Sequence, residues 1–460
     1  MSTIFSTENL RSSIQSEVIA PGDSAYEEAR KVFSGTIDRK PAAIVRVQNS
    51  DDISRVVLFA KDHNMELAVR SGGHSTAGHS TTDGGIVVDL SLMKSMDIDV
   101  KTKTAWAETG LTADEYTRKA AAYGLVTGFG DTGSVGIGGI TLGGGVGYLV
   151  RKYGLTIDDV LAADIVTADG NLLRVDTQTH PDLFWAIRGG GGNFGVVTRF
   201  QYRLHELKVV LGGMLILPAT SDTIFSFIKE AEAAPDDLST IANVMTAPPL
   251  PFIPTQYHGK PVIMATLTFA GDIPQGERVI APFRNIASPL ADIIRPMSYA
   301  EVYPEDQKGY HPITASHTMF LDLVNPSEAS TIIDFIGKSK ASMAIIQLRV
   351  LGGAMARIPR NATAFAHRNS RIMANIAVVY EHPNDHAFHE AWVAAFADAI
   401  RQTDTGAYVN FLGLEGQARI RAAYPNETWE RLQTIKTKYD PTNLFRLNQN
   451  IPPRTHTAQQ

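Results

Sequence analysis

The chain has 460 residues, a formal net charge of −6, 44% hydrophobic residues and no cysteine. Those values exclude disulfides, thiolate nucleophiles and cysteine-ligated zinc, and they give no global basic field for nucleic acid. A chain of this length buries a sizeable core and divides into more than one domain, and no run approaches the ~18 apolar residues of a membrane span.

Residues 1–26 show no basic start followed by an apolar run, and cysteine is absent, so the expectation is a cytoplasmic protein without a leader. After Asp51 and Asp52, the apolar Ile53, Val56, Val57 and Ala60 recur at helical spacing and predict a capped amphipathic helix. AAIVRV before it and LAVR after it read as short buried strands, which predicts a parallel unit with a right-handed crossover. The second strand runs into Arg70-Ser71-Gly72-Gly73-His74-Ser75, a loop at a strand's carboxyl end, where open α/β sheets hold their ligands. GIVVDL and TAWAETG read as further strands, and Thr112 with Glu115 predicts a capping box for a helix ending before Gly124.

The stretch from Gly128 to Gly147 is half glycine, with Val135, Ile137, Ile140, Leu142 and Val146 interleaved. Linkers pair glycine with polar residues, so this segment is expected to be buried, with bare backbone approaching something. Glycine serves where a ligand lies against the main chain, and runs of open N–H groups suit phosphate. A P-loop is excluded, because no lysine occurs between Lys119 and Lys152. The Rossmann fingerprint is only approximated by Gly136, Gly138 and Thr141. A buried glycine-rich bend without ligand is the plainer alternative.

Beyond it, DIVTADG reads as a strand closed by an Asp-Gly turn, and the run from Asp182 to Thr198 carries Gly189 to Gly192 before an alternating strand. Past Leu207, the strand-like VVLGGMLIL, VIMATLTF, TMFLDLV, IIQLRVLGG and IMANIAVVY alternate with helical segments at 222–233, 329–339 and 385–402. That texture predicts a second, α+β domain with a largely antiparallel sheet covered on one face by helices. Met343 and Met355 read as core gap-fillers. His367 and Arg368 suit either a substrate contact or a solvated turn. The tail holds Ala407 to Gly413, then a capped helix from Asn426 with Trp429, Leu432 and Ile435 on its core face, then YDPTNLFRLNQNI. His74 and His79 match no common metal-ligand spacing, so no metal site is expected.

RSGGHS, VGIGGITLGGGVGYLVRKYGLTIDD, DLFWAIRGGGGNFGVVT and YDPTNLFRLNQNI, in this order, resemble the FAD-linked oxidases of the vanillyl-alcohol oxidase superfamily, in the berberine-bridge-enzyme-like branch. The resemblance covers roughly residues 40–205 and 405–452. It implies a two-domain α+β fold: a PCMH-type FAD-binding domain over 1–206, a substrate domain over 207–406, and a segment over 407–460 completing the FAD-binding domain. It also implies FAD attached covalently through His74. Other FAD contacts would come from Arg70, Ser71, Gly72, Gly73, Ser75 and His79 in the first block. In the second they are Thr132, Val135, Gly136, Gly138, Gly139, Thr141, Leu142, Gly144, Gly145 and Gly147, and later Gly195, Val197, Asn448 and Asn450.

Many members of this branch attach FAD a second time through a cysteine, at the position held here by Thr132. A single bond, a lower flavin potential and a more open substrate mouth are therefore expected. Valine at Val135 is the oxygen-permissive residue of the family, which favours an oxidase over a dehydrogenase. Tyr408 and Asn410 match positions facing the reactive side of the flavin. Tyr408 would serve as base if neighbouring positive charge or hydrogen bonds lower its pKa, normally near 10; a buried strand tyrosine with a satisfied hydroxyl is the alternative. The implied activity takes hydride from an alcohol, hemiacetal or amine carbon of a secondary metabolite, alkaloid or oligosaccharide and reduces O2 to hydrogen peroxide. A dehydrogenase with another acceptor and a flavin-retaining binding protein are the alternatives. A small molecule and O2 are the expected partners, with no nucleic acid and no membrane; the sequence fixes no oligomeric state.

Overall fold

Short β-branched runs build the amino-terminal part of the molecule. In the computed structural model, which describes residues 6–303 and 309–454, β1 (Glu17–Ile19), β2 (Ala43–Arg46), β3 (Leu67–Arg70) and β4 (Ile86–Asp89) form one sheet in the order β1-β2-β4-β3. Residues 1–5, the start of the segment read as leaderless, lie outside the described residues. β2 and β3 are parallel as expected, yet each pairs with β4, which lies between them. The helix joining β2 to β3, α1 (Ser50–Asp62), is capped by Asn49, whose side chain accepts from the backbone of Asp52. Asp51 and Asp52 therefore lie in its first turn, where carboxylates favour the positive end of the helix dipole.

A second sheet is antiparallel throughout. It contains β5 (Met96–Asp99), β6 (Thr104–Glu108), β7 (Val160–Val166), β8 (Leu172–Asp176) and β9 (Val196–Arg203), in the order β5-β6-β9-β7-β8. The helix α2 (Ala113–Ala121) carries the Thr112–Glu115 capping box that the sequence predicts. The glycine segment is not all turn: α3 (Ile137–Gly143) runs through its middle.

Apart from a short pair, Leu125–Val126 with His205–Glu206, the later strands form an eight-stranded antiparallel sheet. Its long members are β10 (Val210–Pro218), β11 (Leu238–Thr246), β12 (Pro261–Phe269), β13 (Ile313–Leu321), β14 (Met343–Val350) and β15 (Ile372–Tyr380), in the order β10-β12-β11-β14-β15-β13. On one face Leu215, Leu267, Leu348 and Ala374 pack against Phe227, Ile332 and Phe396 of the covering helices. The other face looks onto the glycine segment. Two elements escape the sequence reading. β11 is interrupted by the polar Asn243, and the helix Ile273–Arg284 carries Pro274, Gly276 and Pro282.

The carboxyl end returns to the amino-terminal part. One hydrophobic cluster contains Tyr116, Phe184 and Phe200 together with Leu412, Trp429, Leu432 and Ile451. The tail helix, α4 (Asn426–Tyr439), differs from the expectation at its start, where Pro425 stands at the cap position and no side chain caps the helix. Near its end Lys436 and Asp440 form an ion pair with both side chains fully buried. Lys436 also donates to the carbonyls of Asn193 and Phe445, and Asp440 accepts from the backbone N–H groups of Leu444 and Phe445. Truncating one partner of such a pair strands a buried charge. Lys436→Met should cost roughly 3–5 kcal/mol, read as a lowered urea midpoint with unchanged slope.

Candidate active site

The two glycine-bearing loops meet backbone to backbone. A Cβ added at Gly72 would lie 2.2 Å from the Gly136 nitrogen, and one at Gly136 would lie 2.1 Å from Ser71 Oγ. No other residue fits either position. At the far end of the segment, a Cβ at Gly143 would meet Asn410 Oδ1 at 2.0 Å, and one at Gly145 would meet Thr156 Oγ1 at 2.0 Å. The glycines thus lock the RSGGH loop to one end of α3 and the Tyr-x-Asn motif to the other. Between them lies a cavity of about 360 Å³.

The structure brings most of the candidate residues to this cavity. Ser71, Gly72, Gly73, His74, Ser75 and His79 line it from the first loop. Thr132, Val135, Gly136, Gly138, Gly139 and Leu142 line it from the glycine segment, and Gly195, Val197, Tyr408, Asn410 and Asn448 from later blocks. Val135, Ile140 and Leu142 are only half-buried in consequence, where full burial was expected.

The others stand behind the lining. Arg70 is turned away into a buried ion pair with Asp89 at 2.9 Å. Thr141 is bonded to the Tyr202 hydroxyl at 2.8 Å. Gly144 packs against Phe365 and Tyr408, Gly145 against Thr156, and Gly147 against the Phe129 carbonyl. Asn450 carries a buried Oδ1 with no partner among the described residues. Arg368 is neither solvated nor in the cavity: wholly buried, it forms a bidentate pair with Asp158 at 2.7 and 2.8 Å and donates to Thr363. His367 packs beside it, with Nε2 3.2 Å from the Ala423 carbonyl. Met355 is core as expected, while Met343 is only partly buried at the edge of another cluster.

Tyr408 is fully buried, and its hydroxyl oxygen accepts two hydrogen bonds, from the Gly145 backbone at 3.0 Å and from Asn410 Nδ2 at 2.9 Å. Asn410 Nδ2 is held in turn by the Ile140 carbonyl. Burial raises the Tyr408 pKa above its ordinary value, against the pull of Asn410, the backbone N–H groups of Gly145 and Val146, and the Arg349 charge. The lowered pKa that the sequence reading required is therefore not present, because desolvation of the phenolate outweighs its donors.

Several functional residues escape sequence reasoning. Asp131, the one charged residue of the glycine segment, accepts from Arg349 Nη2 at 2.6 Å and from Gln347 Nε2 at 3.2 Å. Cross-strand pairing puts Asn243 opposite Gln347, Gln347 opposite Asn375, and Asn375 opposite Thr318. These four lie in one row on the cavity-side face of the sheet. Asn243 Oδ1, Asn375 Oδ1 and Thr318 Oγ1 are buried without a partner among the described residues, and Asn375 lines the cavity. The available signal was a polar residue inside an otherwise apolar strand, as in IMANIAVVY.

The family model described as FAD binding domain matches residues 41–176, and that described as berberine and berberine like matches residues 407–452. (R)-6-hydroxynicotine oxidase of Paenarthrobacter nicotinovorans is 31% identical over 454 residues, covering 96% of this chain and 97% of the relative. Xylooligosaccharide oxidase of Thermothelomyces thermophilus is 27% identical over 477 residues, covering 95% of this chain and 92% of the relative. The crystal structure of 6-hydroxy-D-nicotine oxidase from Arthrobacter nicotinovorans superposes with a TM-score of 0.85 at 29% identity, covering 96% of this chain and 99% of that one.

The chain belongs to the FAD-linked oxidases of the vanillyl-alcohol oxidase superfamily, berberine-bridge-enzyme-like branch, and is an FAD-binding oxidoreductase with the two-domain α+β fold. The residues present fit that cofactor. Gly139 is exposed on α3 with nothing within 4 Å of an added Cβ, although glycine costs a helix interior about 1 kcal/mol relative to alanine. Packing within the protein does not explain it; a ligand lying against the helix does. Both ring nitrogens of His79 are buried in the same cavity without a partner among the described residues, as is Ser80 Oγ beside it. Among the described residues no helix is long and apolar enough to cross a membrane, and no group of side chains is arranged to hold a metal.

Two measurements follow from this geometry. Gly139→Ala should fold normally but retain less FAD per polypeptide, whereas Gly147→Ala, whose Cβ would lie 1.4 Å from the Phe129 oxygen, should not accumulate as soluble protein; flavin absorbance and soluble yield read the two effects. Burial, with the Arg39 charge, lowers the His79 pKa to about 4, while the unfolded chain takes up that proton near pH 6.5. The contribution of neutral His79 is therefore fully present above pH 6.5 and is lost as the pH falls toward 4. The loss is on the order of 3 kcal/mol, and His79→Phe should lack this component in unfolding titrations at pH 7 and pH 4.

Proposed function

We propose that the protein is an FAD-dependent oxidase with its flavin bonded to His74 alone. It takes hydride from an alcohol, hemiacetal or amine carbon of a small molecule and returns hydrogen peroxide from O2. The observation carrying this reading is the placement of the RSGGH loop and the Tyr408–Asn410 pair on one cavity, held by a single glycine segment. Bound FAD supplies hydride acceptance and electron transfer to oxygen. The side chains supply the rest.

Once ionised at alkaline pH, Tyr408 receives the proton of the substrate O–H or N–H as the C–H bond breaks, and Asn410 with the Gly145 N–H steadies the phenolate oxygen that this requires. Asp131 is compensated by Arg349 and lends the cavity no free negative charge. Asn375 Oδ1, in the cavity lining and without a partner among the described residues, offers an acceptor to hydroxyl or N–H groups of the substrate. Val135 lines the cavity as the oxygen-permissive residue. Thr132 offers a hydroxyl, 3.4 Å from Asp131 Oδ1, where a second attachment would need a thiolate.

Intact mass after denaturation should show one covalent FAD in wild type and none in His74→Ala. Oxygen consumption with matched peroxide should appear in a screen across alcohols, sugars and amines; turnover with a dye alone would identify a dehydrogenase instead. Because burial raises the Tyr408 pKa, kcat/KM should climb with pH on the alkaline side. Tyr408→Phe should flatten that limb and lower kcat by about 10²–10⁴, and an equally steep limb in the variant would place the base elsewhere.

A further inference from the structure

The segment before the flavin-attachment loop is fixed on both sides. The Phe33 N–H donates to the Gly73 carbonyl at 3.1 Å, and the Gly35 N–H donates to the Pro312 carbonyl at 2.9 Å. The Val32 carbonyl lies 2.8 Å from His311 Nδ1, and Arg70 Nη1 reaches the Lys31 carbonyl at 3.4 Å. Residues 31–35 thereby form a strap between the RSGGH loop and the residues that lead into β13. Gly35 shows how closely the strap is held, since a Cβ there would lie 2.4 Å from the His311 carbonyl oxygen.

What the strap presents to the loop is a ring. Phe33 stacks on the imidazole of His74 with centroids 4.3 Å apart and planes inclined by 18°. We infer that Phe33 is the positioning residue that sets the His74 ring for bond formation with the flavin, an inference resting on the attachment proposed above. The geometry of a stack suits this task. It restrains the face of the imidazole, whereas the nucleophilic lone pair lies in the ring plane, so the stack itself does not cover the edge that must react. Restraint is needed from outside the loop, because His74 follows two glycines and Gly73 has a φ of +73°.

The bond in question joins an imidazole nitrogen to the 8α carbon. The N–H proton and one C–H proton leave, the C–H electron pair passes to the isoalloxazine ring, and O2 takes that pair with two protons to become hydrogen peroxide. Phe33 contacts the imidazole ring but takes no part in these bond changes. It raises the fraction of time the ring spends in the one orientation from which the nitrogen can reach the carbon.

The test is the rate at which incompletely flavinylated protein, incubated with FAD in air, gains the mass of one FAD. Phe33→Leu keeps apolar bulk without a ring face and should slow attachment by roughly threefold to tenfold, with unchanged melting temperature and unchanged non-covalent FAD retention. Phe33→Tyr keeps the stack and should restore the wild-type rate. Attachment at the wild-type rate in Phe33→Leu, or equal slowing in Phe33→Tyr, overturns the inference while leaving attachment at His74 intact. Absence of covalent flavin from wild type, or its persistence in His74→Ala, overturns both.

Discussion

Everything near the active site depends on how closely bare backbone can approach bare backbone along residues 128–147. Gly72 against Gly136, Gly143 against Asn410, Gly145 against Thr156 and Gly147 against Phe129 are contacts in which a Cβ would sit 1.4–2.2 Å from another atom. Close approach of this kind excludes water and leaves no side chain to reorient, so the loop and the motif are placed to within fractions of an ångström. The same glycines weaken α3 as a helix. The segment is therefore held by its neighbours rather than by its own propensity: Ser71 Oγ against the Gly138 nitrogen, Tyr408 on Gly145, and Asn410 on the Ile140 carbonyl.

A second constraint acts across the junction between the flavin-binding part and the eight-stranded sheet, where several charges are buried or half-buried. Asp131 pairs with Arg349 and Asp158 with Arg368. Arg151 donates to the carbonyls of Leu351 and Ala234, and Lys152 pairs with Asp237. Buried ions are costly unless geometry and additional hydrogen bonds compensate them, and hydrophobic replacements often match their stability. Their value here is register. Each contact ties the glycine segment or the stretch just after it to one strand or loop of the sheet, so that the cavity between them has a defined depth.

The blocks of glycine, the RSGGH loop and the Tyr-x-Asn motif were legible because each residue type answers a local demand: no Cβ, one imidazole, one phenol beside one amide. The strands of the large sheet were legible from apolar runs, with β11 the exception, since Asn243 breaks its run in order to face the cavity. The row Asn243, Gln347, Asn375 and Thr318 was not legible. It exists only through pairing between strands that lie far apart in sequence. Arg368 misled for a related reason: its partner Asp158 is 210 residues away, so a structural pair looked like a solvated turn. Tyr408 lines the cavity, yet its pKa is raised rather than lowered, because the balance between burial and donors is a property of the closed cavity.

The return of the tail to the amino-terminal core also orders the life of the chain in time. The cavity wall needs Tyr408, Asn410 and Asn448, and α4 is clamped to Asn193 through Lys436. These residues leave the ribosome after the large sheet has been made, and domains generally fold as units in order of synthesis. The RSGGH loop and the glycine segment must then wait, unclosed, through the synthesis of the 260 residues between Gly147 and Tyr408. Cofactor capture is thus a late event that certifies a finished chain. A prematurely terminated one presents the RSGGH loop without the wall that closes the cavity.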